Sequence, residues 1–251
     1  MKNDFHISKL SAQPYHFGSD PITAYIKAAI NNIYGTYIKK NETFLNLRLV
    51  EKQFSYIANN ISSPNDIFLG LLLTRTHGYY LSSTQLAMSG QFAESYSLIR
   101  GCLECSAYAL HIHTNKNLED MWLNRNMDEA SKKACRKAFK ITPIKQTLSS
   151  YEPRLEEIWS TLYELTIDFG AHPNQASILS TSKIENQKDS ISLQNNVISS
   201  SDLNIDLSLK TVYEAGICAL LIFEKIKPEF FKILGISQEL EVLRNKKIVP
   251  E

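Results

Sequence analysis

The helical pattern of apolar residues that runs from Ile67 almost to Thr114 constrains the fold more than any other feature of this sequence. Apolar side chains recur there at helical spacing, and Gly78 and Gly90 mark points where the segment is expected to kink or divide. The whole chain has 9 Gly and 8 Pro in 251 residues. That is too few for the turn every ~8 to 12 residues that a sandwich or barrel needs. We therefore predict an all-α fold, a single bundle of about six to eight helices.

The flanking sequence predicts where this bundle begins and where it is interrupted. Ser19-Asp20-Pro21 combines an N-cap with a proline in the first turn, so a helix is expected from there to about Lys40. Residues 1–18 have no clear periodicity and are predicted to be an irregular arm. Residues 177–205 are rich in Ser, Asn, Lys and Asp, which favours a polar loop or a small hairpin. We find no internal repeat and no linker, so residues 19–251 are predicted to form one helical domain.

Composition and charge exclude several classes of protein. The formal net charge is +1, which gives no overall attraction to nucleic acid or to an anionic membrane. The longest aliphatic stretch, 67–73, is far shorter than the ~20 residues that span a bilayer, so no membrane partner is expected. The first ten residues lack the apolar run of a secretory signal, and four cysteines without such a signal indicate reduced thiols. These features predict a soluble cytoplasmic protein.

The segment from Gln91 to His113 separates into two faces when projected at about 100° per residue. One face is apolar and includes Cys102 and Cys105, which favours two core thiols over a zinc or redox site because both lie within a continuous helix. The opposite face groups the polar side chains Tyr96, Ser97, Arg100, Glu104, Tyr108 and His111.

A second helix, predicted from Pro153 to Gly170, carries Glu164 and Asp168 one turn apart, and His172 follows its end. Carboxylates beside an imidazole suit acid/base chemistry or a divalent metal, whereas an exposed polar stripe or an ion pair between helices is the structural alternative. The candidate catalytic residues are Arg100, Glu104, Asp168 and His172. The candidate substrate-binding residues are Tyr96, Tyr108, His111 and Asn174.

The one basic cluster lies along a helix predicted from about Met127 to Lys140. A solvent-exposed helix face accounts for it. RNA binding is the alternative, because a row of positive side chains can contact successive phosphates of an RNA backbone. The candidate RNA contacts are Lys132, Lys133, Arg136 and Lys137.

Three segments, 94–110, 122–125 and 163–174, resemble a family of bacterial helical proteins without a settled activity. The resemblance covers roughly residues 65–240 and lies in an Arg-x3-Glu helix followed by a helix that closes on His-Pro. It implies a fold similar to the HEPN bundles of toxins and phage-defence systems. HEPN ribonucleases carry Arg-x4-6-His, but none of the six histidines here has an arginine five to seven places upstream. A ribonuclease would therefore need Arg100 as the arginine that acts with His172.

Three hypotheses follow from the sequence, which contains no nucleotide-loop or standard hydrolase motif. The first is a non-catalytic interaction or regulatory module in stress or phage defence, self-associating through an apolar helix face and needing no cofactor. The second is an enzyme, a metal-independent nuclease or phosphodiesterase, in which Arg100 binds phosphate, His172 acts as acid and base, and Glu104 or Asp168 orients them. The third is a metal site built from Glu104, Glu164, Asp168 and His172.

Overall fold

The computed structural model describes residues 15–61, 63, 66–171, 173, 175–187, 190–199 and 201–246. Within them the chain is all-α, as predicted, with twelve α-helices instead of six to eight. The difference arises because several predicted helices and connectors divide into short helices. One example is the short helix Ile141–Tyr151, which follows the helix of the basic cluster.

The α-helices are α1 Pro21–Lys39, α2 Asn41–Asn60, α3 Ile67–Met88, α4 Phe92–His113, α5 Lys116–Leu123, α6 Glu129–Ala138, α7 Ile141–Tyr151, α8 Pro153–Thr166, α9 Gln175–Thr181, α10 Asp202–Ile226, α11 Pro228–Ile233 and α12 Ile236–Asn245. A π-helix, Ile167–Ala171, continues α8. The strands β1 Ser182–Gln187 and β2 Ser190–Asn195 form an antiparallel hairpin, so the polar insertion contains the small hairpin that was one of its two predicted forms.

Local sequence explains where α1 begins and where α3 and α4 separate. Asp20 caps α1 by accepting hydrogen bonds from the backbone of Ile22 and Thr23, as its place before Pro21 predicted. Gly90 divides the long helical segment because its φ of 82° is a left-handed conformation that suits glycine. A Cβ there would also lie 2.3 Å from the carbonyl oxygen of Ser199. Gly78, by contrast, lies inside the continuous helix α3.

The core forms around α4 and α10, which pack against each other and against α3 and α8. Buried side chains of these helices include Leu103, Leu110, Trp159 and Leu220. Because α4 is enclosed by neighbours, part of its predicted polar face is buried as well, including Tyr96 and His111. In the residues the structure describes, no helix is long and apolar enough to cross a membrane. Most of the predicted N-terminal arm, residues 1–14, lies outside the described residues.

Candidate functional site: the Arg100 cluster

Arg100, Glu104 and Tyr163 form a closed hydrogen-bonded triangle, which we call the Arg100 cluster. Arg100 Nε donates to Glu104 Oε1 at 2.8 Å, one helical turn further along α4. Arg100 Nη2 donates to the Tyr163 hydroxyl at 2.8 Å, and that hydroxyl donates to Glu104 Oε1 at 3.2 Å. The cluster therefore joins α4 to α8 through charged and hydroxyl groups.

Aromatic packing holds Tyr163 in the position that the triangle requires. Its ring stacks on Trp159, one turn earlier in α8, with centroids 4.7 Å apart and planes at 16°. The indole Nε1 of Trp159 donates to the Leu103 carbonyl at 3.0 Å, which anchors α8 on α4. The guanidinium carbon of Arg100 lies 5.0 Å from the centre of the Tyr163 ring, within cation–π range. The stacked ring of Tyr163 thus holds its hydroxyl in place to bond with Arg100.

The charges of the cluster stabilise one another. Partial burial lowers the pKa of Arg100, but the hydrogen bond and negative charge of Glu104 and the contact with Tyr163 outweigh it, so the pKa is raised. Burial, followed by the negative charge of Glu104, raises the pKa of Tyr163. An incoming anion would have to compete with Glu104 for the guanidinium, because the carboxylate already accepts from Nε.

The end of the α8 region packs directly against the start of α4, so the two patches singled out in the sequence belong to helices that meet. Ser97 Oγ donates to the Gly170 carbonyl at 3.0 Å. A Cβ at Gly170 would lie 2.2 Å from the carbonyl oxygen of Ala93, so only glycine permits this approach. The ring of Phe169 lies beside that of Phe92, with centroids 5.5 Å apart.

The predicted acidic partners are not part of the triangle. Asp168 is exposed, and its side chain makes no hydrogen bond or ion pair with the residues described. Glu164 is also exposed and lies 4.0 Å from Lys145 Nζ. Within the described part of the chain, no three His, Cys, Asp or Glu side chains are grouped so as to hold a metal ion. His172 and Asn174, the remaining predicted site residues, lie outside the described residues.

The three predicted substrate-binding residues of α4 make contacts with neighbouring helices. The Tyr96 hydroxyl lies 3.1 Å from Thr211 Oγ1 of α10, and Tyr96 is only 2% exposed. The half-buried Tyr108 donates to the Phe139 carbonyl at 3.4 Å, and burial raises its pKa to about 12. His111 Nδ1 lies 2.7 Å from Thr147 Oγ1, and burial lowers the pKa of this imidazole. In the structure these polar groups contribute to the packing of α4.

The cysteines are largely buried and most of the basic cluster is exposed, as the sequence patterns favoured. Burial raises the pKa of Cys102 well above its usual value and that of Cys105 to about 11, as expected of unreactive core thiols. Lys133, Arg136 and Lys137 are exposed on α6, whereas Lys132 is half-buried and pairs with Glu129 at 3.1 Å.

Three hollows of about 420, 330 and 110 Å³ in the described part of the molecule are lined by side chains other than those of the Arg100 cluster. The sequence places Arg100 and Glu104 on one helix face but does not identify Tyr163 as their partner. The available signal was the spacing of Trp159 and Tyr163, which places two large rings on one side of α8.

Comparison with known proteins does not assign this chain to a family. No family model, no curated protein and no solved structure matches it. Its own geometry therefore carries the functional argument.

Proposed function

We propose that this chain is a non-catalytic interaction module that works as a homo-oligomer in the bacterial cytoplasm. The closed geometry of the Arg100 cluster carries this proposal. A catalytic arginine that binds phosphate presents its donors toward the position where negative charge develops. Here Nε is bonded to Glu104 within α4 and Nη2 to Tyr163 of α8, so these two donor atoms are engaged inside the cluster.

The resemblance of segments 94–110, 122–125 and 163–174 to bacterial helical proteins supplies the biological setting. We place the module in stress or phage defence on that basis, with a HEPN-like bundle as its scaffold. In this role Arg100 and Glu104 fix the relative position of two core helices.

Stability and turnover measured together on the same variants test the proposal. Arg100→Ala leaves Glu104 without its cationic partner and should lower the melting temperature, because a paired and half-buried charge loses its partner. The wild-type protein should leave single-stranded and hairpin RNA intact. Cleavage by the wild type that Arg100→Ala abolishes without lowering the melting temperature would overturn the proposal, since that pattern marks a catalytic residue.

A second candidate function is RNA cleavage by Arg100 and His172, and one contact favours it. Gly170, two positions before His172 in the sequence, is bonded to Ser97, three positions before Arg100. The exposed cations of α6, with Lys132, would then bind the RNA backbone. His172→Ala should abolish RNA cleavage under this candidate, whereas the exposed control His113→Ala should not. Equal cleavage by His172→Ala and the parent protein would exclude it.

A further inference from the structure

The first helix, α1, makes most of its hydrogen bonds to the rest of the molecule along one side, where Ile33 adds an apolar contact with the core. Asn32 Nδ2 donates to the Ser89 carbonyl at 3.1 Å, and Thr36 Oγ1 donates to the Met88 carbonyl at 2.9 Å. The Tyr25 hydroxyl donates to Gln91 on the same α3–α4 corner. These residues recur at helical spacing, so one side of α1 is a polar docking side.

The adjacent side of α1 is apolar and largely uncovered in the described part of the molecule, apart from the edge-on contact of Tyr37 with Phe44 of α2. Its six side chains are each between 38% and 76% exposed. We call this the α1 apolar face, and its members are Ile22, Ile26, Ile30, Tyr34, Tyr37 and Ile38. A helix normally turns its apolar side toward its own core, so this arrangement indicates a surface that another molecule covers.

The size of the face reaches the lower end of what a stable dimer needs. The exposed fractions amount to about three whole side chains, or on the order of 600 Å². Two such faces together bury about 1,200 Å², the lower limit for a specific interface between proteins. Leu45 of α2, just beyond the α1–α2 corner, is also exposed. Tyrosines are enriched at such interfaces, and two lie in the face.

The spacing of the face makes it complementary to itself. Ile22, Ile26, Ile30, Tyr34 and Ile38 follow one another every fourth residue, with Ile30 at the centre. A two-fold axis beside Ile30 would set two α1 helices antiparallel, with Ile26 of one copy against Tyr34 of the other, while Ile22 and Ile38 lie at the margins because the row winds about 40° around the helix at each step. Such two-fold contacts, in which the same patch serves both subunits, are the commonest way that soluble proteins associate.

The charges of α1 favour a protein over a lipid surface as the occupant. Helices that lie on membranes carry many Lys and Arg on their polar side. The charged residues of α1 are Lys27 and Lys39 alone, and the polar side is docked on the α3–α4 corner.

We infer that the α1 apolar face is the interface through which two copies of this chain form an antiparallel, two-fold symmetric dimer. The inference rests on the proposed function, because it names the partner and the surface of the interaction module. The two can fail separately, since RNA cleavage that depends on Arg100 would overturn the proposed function without changing the mass of the particle.

Sedimentation at micromolar concentration measures that mass directly. The wild type should have twice the 28.5 kDa of the chain. Ile30→Glu should reduce the mass to that of one chain and leave the circular dichroism spectrum unchanged, because the side chain is partly exposed in the single chain. Val242→Glu is the matched control, since Val242 is 64% exposed on α12, and it should leave the dimer intact.

A cysteine introduced at the proposed axis tests the geometry. Ile30→Cys should form a disulfide-linked dimer on mild oxidation, whereas Val242→Cys should not. A monomeric wild type would overturn the inference. If that monomer sediments with anionic phospholipid vesicles, a membrane covers the face instead; if Ile30→Glu destabilises it, another part of the same chain does. A dimer that survives both Ile30→Glu and Tyr34→Glu would also overturn it.

Discussion

Helices α10 and α1 are both rich in apolar residues, yet they bury them very differently. Fifteen of the 25 residues of α10 are buried, whereas Thr36 is the single buried residue among the 19 of α1. α10 packs against α2, α3, α4, α8 and α12, so the chain itself covers it on almost every side. α1 meets the α3–α4 corner with its polar side and leaves its apolar face open. The apolar surface of α10 is therefore covered within one chain, whereas that of α1 is the surface that we propose a second copy covers.

Removing an apolar side chain from each helix should give the largest contrast. Leu220→Ala in α10 should lower the free energy of unfolding by about 3 kcal/mol, because it creates a cavity at a fully buried site. Ile38→Ala in α1 should cost less than about 0.5 kcal/mol in dilute, monomeric protein, because Ile38 is already largely exposed. Urea denaturation measures both. Equal losses would show that α1 is covered within the chain.

A buried ion pair joins the end of α1 to α10. Lys40, at the end of α1, places Nζ 3.1 Å from Asp206 of α10, and both side chains are almost inaccessible. Lys40→Met should cost about 3 kcal/mol, since it leaves a buried carboxylate without its cation. The double variant Lys40→Met/Asp206→Leu should recover most of that stability. A single variant as stable as the wild type would mean that the pair does not hold α1 to α10.

The Arg100 cluster is one of several polar contacts that join the tightly packed helices around α4. Tyr163→Phe removes the hydroxyl that bonds Arg100 and Glu104 but keeps the ring on Trp159. It should lower the free energy of unfolding by about 1 kcal/mol, the usual contribution of such a hydrogen bond. Tyr151→Phe is the exposed control and should have no effect. A Tyr163→Phe protein as stable as the wild type would show that the cluster does not fasten α4 to α8.

Acid should lower the free energy of unfolding of the core without weakening the proposed α1 interface. Burial lowers the pKa of His77, against a smaller opposing effect of Glu51, and burial also lowers the pKa of His111. The unfolded chain then binds more protons, so this stabilisation is complete above the ordinary imidazole pKa of 6.5 and is lost as pH falls below it. α1 contains no histidine, so the mass of the dimer should not change between pH 7.5 and 6.

Urea titrations across this range should show a smaller loss of stability in His77→Phe than in the wild type. His113→Gln, at an exposed histidine, should keep the wild-type slope. A His77→Phe protein with an unchanged slope would mean that proton uptake by His77 does not contribute to acid sensitivity.

The sequence predicted the helical class, the Asp20 cap and the break at Gly90 because these depend on local spacing and backbone geometry. It placed Arg100 and Glu104 on one helix face for the same reason, since the two lie one turn apart. Tyr163 was missed because its contact with Arg100 spans 63 positions of the chain and depends on how α8 packs. Tyr96 and His111 were assigned to a polar face, but neighbouring helices enclose α4 on that side too. Periodicity within one helix does not reveal how many neighbours surround it.

The dependence of the melting temperature on protein concentration tests most directly whether α1 is completed by a second copy. Dissociation accompanies unfolding in a dimer, so dilution should lower the melting temperature of the wild type. Ile30→Glu should melt at one temperature at all concentrations, and the wild type should approach that value on dilution. A wild-type melting temperature that does not change with concentration would contradict the account.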